Sequence, residues 1–165
     1  MGATWQQALD EFLRPGALLV GIGNRLRGDD AFGPMLTDRL RGATSWSVRD
    51  AGETPENEIG RIAALGPERV LLLDAVNWGA GPGGIAFFPI HTVPWQGVST
   101  HGMSLRLFAE VLAARTGCWV ALVGVQPKCT RIGAPLSSEV AESLDCVAGY
   151  LMNTTARRGS PGDRP

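Results

Sequence analysis

The sequence predicts a single-domain α/β fold, with a mostly parallel twisted sheet of about five strands and helices on both faces. Two observations support this prediction. Short apolar runs typical of buried strands alternate along the chain with segments of helical periodicity, which is the order that a parallel sheet requires. The chain of 165 residues has no internal repeat and no linker, and one continuous core is expected at that size.

Each element follows from its local pattern. Apolar runs predict strands, and apolar residues at spacings of three and four predict helices. The predicted elements, in chain order, are a helix over 3–13, a strand over 17–23, a helix over 32–42, a strand over 45–52, a helix over 55–66, strands over 69–76 and 83–90, a helix over 104–117, a strand over 118–125 and a helix over 134–152. We expect the domain to span 1–153 and the glycine-, proline- and arginine-rich residues 154–165 to form a disordered tail.

The composition excludes several classes of partner. Fifteen basic and 16 acidic side chains give a net charge of −1, so we expect no binding of nucleic acid. The most apolar stretches, 17–22 and 70–73, are shorter than the roughly 20 residues that span a bilayer. We therefore expect no membrane insertion and a cytoplasmic location. The cysteines have no CxxC spacing and are expected to be buried, reduced thiols; they are Cys118, Cys129 and Cys146.

Polar side chains stand where the predicted strands end. Asn24 and the pair Asp29–Asp30 follow the first strand, the segment 50–53 ends the second, and Asp74 ends the third. The carboxyl ends of parallel strands meet in a crevice at the topological switch point of the sheet. We therefore expect the functional site at this edge.

A dinucleotide site is one interpretation of the first strand. Gly21, Gly23 and Gly28 resemble a stretched glycine-rich loop, with Asp50 in the place of a ribose-binding acid. The third glycine has the wrong spacing, however, and the two following aspartates would repel a pyrophosphate. A cation suits the same geometry better, because carboxylates at a strand end present oxygen ligands.

A nitrogen ligand would come from one of two histidines, His91 and His101. His101 is the better candidate because it directly precedes the helix predicted to start near Ser104, where its ring would be exposed yet fixed. Two carboxylates, one from the pair Asp29–Asp30 and one from Asp74, would form with His101 a ligand set open to several first-row ions, including nickel and zinc. Taken singly, an aspartate such as Asp74 is more often a turn cap.

Five motifs occur in order along the chain. They are LLVGIGNRLRGDDAFGP (18–34), DAGETPENEI (50–59), LLLDAV (71–76), STHGMSL (99–105) and LVGVQP (122–127). Together they resemble the motifs of the maturation endopeptidases of nickel-iron hydrogenases, whose first signature is GxGNxLxxDDGxGP. The resemblance is strongest to the branch that processes the large subunit of formate-hydrogenlyase-type hydrogenase 3.

The resemblance implies that 1–153 is a peptidase domain whose catalytic and metal-contacting residues are Asp30, Asp74 and His101. It also implies the partner, which is the precursor of a hydrogenase large subunit. A C-terminal extension would be removed from this precursor after nickel insertion. The cofactor would be nickel, as the ion that the precursor carries, and we expect the peptidase to be a monomer. Ala31 and Phe32 depart from the family, which usually has a glycine after the acids.

Two roles of the metal remain open. The three ligands would bind the nickel of the precursor and so position the scissile bond, or the ion would polarise the peptide carbonyl or activate water. The non-enzyme alternative is a nickel-dependent binding module or chaperone that holds the precursor without cutting it. Near the acids, we expect Asn24 and Asp29 to hold the shape of their own turn and Arg25 and Arg27 to be solvated.

Overall fold

The computed structural model describes residues 4–93 and 101–158; for 101–104 and 155–158 it describes the backbone only. The helices and strands, numbered in chain order, are α1 (Trp5–Phe12), β1 (Leu18–Ile22), α2 (Phe32–Leu40), β2 (Ser47–Gly52), α3 (Ile59–Ala64), β3 (Arg69–Ala75), β4 (Ile85–Pro89), α4 (His101–Thr116), β5 (Trp119–Val125) and α5 (Ser138–Arg158). The described strands form one five-stranded sheet in the order β2-β1-β3-β5-β4. Strands β2, β1, β3 and β5 are parallel, and β4 pairs antiparallel with β5 at the edge.

Two apolar layers cover the sheet. One contains buried side chains of α1, α2 and α5, and the other contains buried side chains of α3 and α4. Along β3 the layers alternate, with Leu71 and Leu73 in the first and Val70 and Leu72 in the second, because successive strand residues point to opposite faces. The predicted fold class, a mostly parallel sheet with helices on both faces, is confirmed.

Helix α2 lies unusually close to the sheet. A Cβ built on Gly33 would lie 2.3 Å from the carbonyl oxygens of both Ile22 and Leu73. A Cβ on Gly21 would lie 2.4 Å from Cγ2 of Thr37 and 2.5 Å from the oxygen of Gly33. These two glycines therefore allow direct contact between helix and strand backbones, and this contact fixes the segment that joins β1 to α2.

Several element boundaries differ from the sequence predictions, most clearly those of α3 and α5. The segment predicted as one helix over 55–66 begins as a 3₁₀ turn, Pro55–Glu58, and is α-helical only over Ile59–Ala64. The last helix starts at Ser138, where the hydroxyl of Ser137 accepts from the N–H of Val140.

The same helix continues to Arg158 instead of ending at 152. No glycine or proline occurs between Gly149 and Gly159 to stop it. The predicted disordered tail over 154–165 was thus wrong in its first five residues. Its remainder, 159–165, lies outside the described residues.

The three cysteines were expected to be buried, reduced thiols. All three cysteines are free, but only Cys118 is buried, whereas Cys129 is half-buried and Cys146 is exposed. The expected burial was therefore wrong for Cys146, which lies on the solvent side of α5.

Within the described ranges, no helix combines the length and the apolar character that crossing a membrane requires.

Candidate functional site

The sheet has its topological switch point between β1 and β3. The chain passes from β1 to β2 on one side and then returns to β3 on the other side of β1. Connections that leave in opposite directions open a crevice at the carboxyl ends of the two central strands. Asp30 follows β1, and Asp74 lies next to the last residue of β3, so both candidate acids belong to this crevice.

Asp30 is held by the backbone of the segment after β1. It lies in a 3₁₀ turn, Gly28–Ala31, which we call the acid turn. Its carbonyl oxygen comes within 1.9 Å of a Cβ built on Gly23, whose φ of +136° also favours glycine. Its Oδ2 accepts a hydrogen bond of 2.9 Å from the N–H of Asn24. Gly23 is therefore required for the approach of the acid turn, which explains the glycine pattern without a phosphate.

Asp74 is a buried acid in contact with few donors. Its Oδ1 accepts a hydrogen bond of 2.8 Å from the N–H of Ala75. Burial raises the pKa of Asp74 well above its ordinary value, and the negative charge of Asp30 raises it further. The two carboxyl groups are therefore close enough to repel one another. The structure brings together two of the three predicted site residues.

The third residue, His101, is placed by its backbone alone. It is the first described residue of α4, so it belongs to the helix. The sequence had instead predicted that His101 would lie in a loop before a helix starting near Ser104. Helix α4 has 16 residues, about 24 Å of length, and ends at Thr116 beside the start of β5 at the amino edge of the sheet. Its beginning therefore points toward the carboxyl edge, where the acids lie.

The face of the sheet agrees with this placement. Asp74 continues the alternation of Val70 and Leu72, which face α3 and α4. His101 begins a helix on this same side. The side chain of His101 lies outside the described residues, so its contact with the acids remains a prediction.

The chemistry of the two acids fits a cation. Asp74 is costly to ionise because it is buried and faces the negative charge of Asp30, and a divalent ion between the two carboxylates would offset that cost. Carboxylate oxygens and an imidazole suit first-row ions such as nickel or zinc. Among the described side chains, no group of three His, Cys, Asp or Glu residues is assembled, and the side chain of His101 is not one of those described.

Asp29 has a role that the sequence did not reveal. Its carboxylate is fully buried and accepts hydrogen bonds from the N–H groups of Lys128, Cys129 and Ser137 at 2.8, 2.9 and 2.7 Å, and from the Ser137 hydroxyl at 3.0 Å. Burial alone would raise the pKa of Asp29, but these hydrogen bonds outweigh it and lower the pKa. Asp29 therefore binds a distant loop, and the expectation that it bonds its own turn was wrong.

Arg25 is also more than a solvated side chain. It forms ion pairs with Asp38 on α2 and Asp50 on β2, and it donates to the carbonyl of Pro34. The hydrogen bonds to Asp38 and then Asp50 raise its pKa. Asp50 is thus engaged by Arg25 and by the N–H of Gly52, which removes it from the role of a ribose-binding acid.

The neighbouring polar residues also stabilise the loop. Oδ1 of Asn24 accepts from the N–H of Leu26, and its Nδ2 donates to Glu53, as expected for a residue that holds the shape of the loop. Arg27 donates through Nε to the carbonyl of Thr130, so it too has a structural contact.

Gln126, directly after β5, was not among the predicted site residues. Its Oε1 accepts from the N–H groups of Trp78 and Ala80, and its Nε2 donates to Oδ1 of Asn77 and to the carbonyl of Pro127. It therefore fixes the segment that follows Asp74. Its position at the end of a buried strand, at the same edge as the acids, was the available signal.

The fold and the site together define an α/β protein with a paired-carboxylate crevice at its switch point. The family model of the hydrogenase maturation protease HycI matches residues 34–154 of the chain. The hydrogenase 3 maturation protease of Escherichia coli K12 is 32% identical over 133 residues, which cover 79% of this chain and 85% of that protein. The chain belongs to the hydrogenase maturation protease family.

Solved structures agree with this assignment. The [NiFe] hydrogenase maturation protease HycI from Thermococcus kodakarensis KOD1 superposes with a TM-score of 0.81 at 31% identity, covering 90% of this chain and 99% of that one. The endopeptidase HycI from Escherichia coli gives a TM-score of 0.74 at 27% identity, with 88% and 93% covered. The chain is therefore an endopeptidase of hydrogenase maturation, whose family processes the C-terminus of the hydrogenase large subunit.

Proposed function

We propose that this endopeptidase recognises a precursor already loaded with nickel, and that Asp30, Asp74 and His101 contact that nickel. The observation that supports this proposal is the pair of buried acids, Asp30 and Asp74, close enough that one raises the pKa of the other. A cation placed between two like charges offsets their mutual repulsion. A nickel ion that arrives with the substrate supplies such a cation only when the precursor is mature enough to be cut.

Contact with the nickel of the substrate would make recognition of the precursor depend on whether nickel has been inserted. A loaded precursor would gain contacts between its ion and the acids, and these contacts would place the scissile bond in one position at the crevice. An unloaded precursor would lack them and would be cut slowly. The carboxylates would thus restrict rapid cleavage to precursors in which metal insertion is complete.

The chain's own residues fit both proposed roles of the ion. Asp30 is held by the N–H of Asn24, and Asp74 by the N–H of Ala75, so both carboxylates have fixed directions before a substrate binds. Fixed donors suit positioning by contact with the ion. They equally suit polarisation of a peptide carbonyl by the ion, as catalytic metals do in hydrolases.

The compartment and the oligomeric state belong to the same proposal. We place the protease in the cytoplasm, where reduced thiols are maintained, and its three free cysteines are compatible with that environment. We propose a monomer, because the substrate is itself a large protein that must reach the crevice. Light scattering after gel filtration measures the mass directly, and a dimer would contradict this part.

The deciding experiment compares two forms of one precursor. The purified chain is incubated with a nickel-loaded and with a nickel-free large-subunit precursor, and the intact mass of each product is measured. Loss of a C-terminal peptide from the loaded form alone supports recognition through nickel. Cleavage of both forms removes nickel from recognition. Cleavage of neither form, with the matched precursor, leaves the non-cleaving binding module as the better description.

A further inference from the structure

Two loops beside the acid turn are joined into one rigid surface. The loop after β1 and the loop after β5 are connected where the N–H of Gly133 donates to the carbonyl of Leu26 at 2.8 Å. The N–H of Asp29 donates to the carbonyl of Cys129 at 2.9 Å. At Gly28, with φ +54°, a Cβ would lie 2.4 Å from that same carbonyl oxygen. We call residues 24–28 and 128–134 the two-loop ridge.

The ridge exposes two aliphatic side chains. Leu26 is 72% exposed and Ile132 is 81% exposed, and the backbone hydrogen bond between Leu26 and Gly133 joins the two loop segments that carry them. A partner that covers large aliphatic side chains on a surface whose backbone is already fixed loses little conformational entropy on binding.

The ridge also carries unbalanced positive charge. The ion pairs nearest to it join Arg25 to two aspartates and Lys128 to Glu139. Within the described ranges, neither Arg27 nor Arg131 forms an ion pair with a carboxylate. A partner with carboxylates would complement these two guanidinium groups.

We propose that the two-loop ridge is a docking surface for the large-subunit precursor, and that it binds an extended segment beside the scissile bond which carries an aliphatic side chain close to a carboxylate. This inference rests on the proposed function. Leu26 lies four residues before Asp30 in the sequence, and four extended residues reach about 13 Å. The Cα atoms of Leu26 and Asp30 are therefore at most about 13 Å apart, so one short extended segment can contact both the ridge and the acids.

A second copy of this chain is the less suitable occupant. The ridge is continuous with the acid turn through Gly28 and Asp29. Self-association through the ridge would cover the crevice that the precursor must enter. The precursor fits the position of the surface, which adjoins the acid turn.

The test measures kcat and KM for cleavage of the loaded precursor. The variants are Leu26→Ser, Ile132→Ser and the double variant. The matched controls are Leu65→Ser and Leu107→Ser, since both residues are aliphatic and 60% exposed but lie away from the ridge, Leu65 directly after α3 and Leu107 on α4. Burial of one aliphatic side chain changes affinity by about tenfold or more.

We expect KM to rise by roughly tenfold or more in the double ridge variant, with kcat little changed. The control variants should keep both constants within about twofold of the wild type. Thermal unfolding should be the same for all variants, because none of these side chains is in the core. A wild-type KM in the double ridge variant, with normal cleavage by the wild type, would overturn the docking surface and leave the proposed function intact.

Two further outcomes separate the remaining explanations. Failure of the wild type to cut the matched precursor would refute the proposed function itself. A dimeric wild type that becomes monomeric in the double ridge variant would assign the ridge to self-association, which would also overturn the inference.

Charge is tested separately. Arg131→Gln should raise KM and weaken its dependence on salt, whereas Arg115→Gln, at the far end of α4, should change neither. An unchanged salt dependence in the Arg131 variant would refute the carboxylate in the docked segment.

Discussion

The carboxylate of Asp29 accepts two hydrogen bonds from Ser137, one from its backbone N–H at 2.7 Å and one from its hydroxyl at 3.0 Å, across 108 positions of sequence. The same hydroxyl accepts from the N–H of Val140 at the start of α5. One buried acid thus connects the acid turn to the beginning of the last helix. Because Asp30 is the next residue, the position of a candidate ligand depends on this connection.

Replacing Asp29 should therefore be costly. Asp29→Asn keeps the size of the side chain but turns an amide N–H₂ toward backbone donors, and we expect a loss of about 2–4 kcal/mol in the free energy of unfolding. Urea denaturation measures this loss. Asp145→Asn is the control, because its ion pair with Arg39 is exposed and worth less than about 1 kcal/mol. Equal stability of the two variants would contradict the role of Asp29.

The two acids of the site could be predicted from sequence because their position follows from local patterns. Alternating strand and helix patterns define a parallel sheet, and parallel strands bring Asp30 and Asp74 to one edge. The partners of Asp29 and Arg25 could not be predicted in this way. Ser137 and Asp50 reach them through contacts between distant segments, and no periodicity in either segment specifies which polar groups will meet.

The end of α5 shows the same limit for a boundary. Residues 154–158 have a polar composition that resembles a tail, yet they continue a helix that is held in the core by Val147 and Leu151. Tertiary packing of one face supplies the stability that local propensity lacks. Composition therefore misplaced the end of the helix, while the periodicity over 134–152 correctly predicted that a helix is present.

The close contact between α2 and the sheet predicts opposite effects at two glycines. Gly33→Ala would place a methyl group 2.3 Å from two backbone oxygens, and the helix would have to shift, so we expect a loss of more than about 3 kcal/mol. Gly60→Ala, in α3, meets nothing within 4 Å and should raise stability by about 0.5–1 kcal/mol. Thermal and urea unfolding compare the two; similar effects would contradict the packing described for Gly33.

The pKa of Glu139 offers a test of surface electrostatics near the ridge. The hydrogen bond from Lys128 comes first among the causes that lower this pKa to about 2. The folded value lies below the unfolded one, so the interaction stabilises the protein fully above pH of about 4.5 and is lost as the pH falls toward 2. In Lys128→Met, NMR titration should show the pKa of Glu139 rising toward its ordinary value. The control variant Arg115→Met should leave the pKa of Glu139 unchanged. If Lys128→Met also leaves it unchanged, the low pKa is caused instead by the hydrogen bonds from the backbone of Glu139 and from Ser138.

The two histidines provide a matched pair of variants. His101→Ala should reduce cleavage of the loaded precursor by about 100-fold or more, because it removes the predicted third ligand and misplaces the substrate. His91→Ala should keep wild-type cleavage, since His91 is exposed in the 3₁₀ turn Ile90–Thr92. Cleavage rates from intact mass spectrometry decide the matter. Normal processing by His101→Ala would remove His101 from the mechanism.

Asp74 should behave as a functional acid that costs stability. Asp74→Asn keeps the oxygen that accepts from Ala75 and removes a buried charge that faces Asp30. We therefore expect cleavage to be lost while the free energy of unfolding of the chelator-treated protein, measured in urea at pH 7, rises by about 1 kcal/mol. A variant that is both inactive and less stable by several kcal/mol would make Asp74 a structural acid, and an active variant would exclude it from the site. The loss of activity in a protein of unchanged or greater stability is the result that a purely structural role cannot produce.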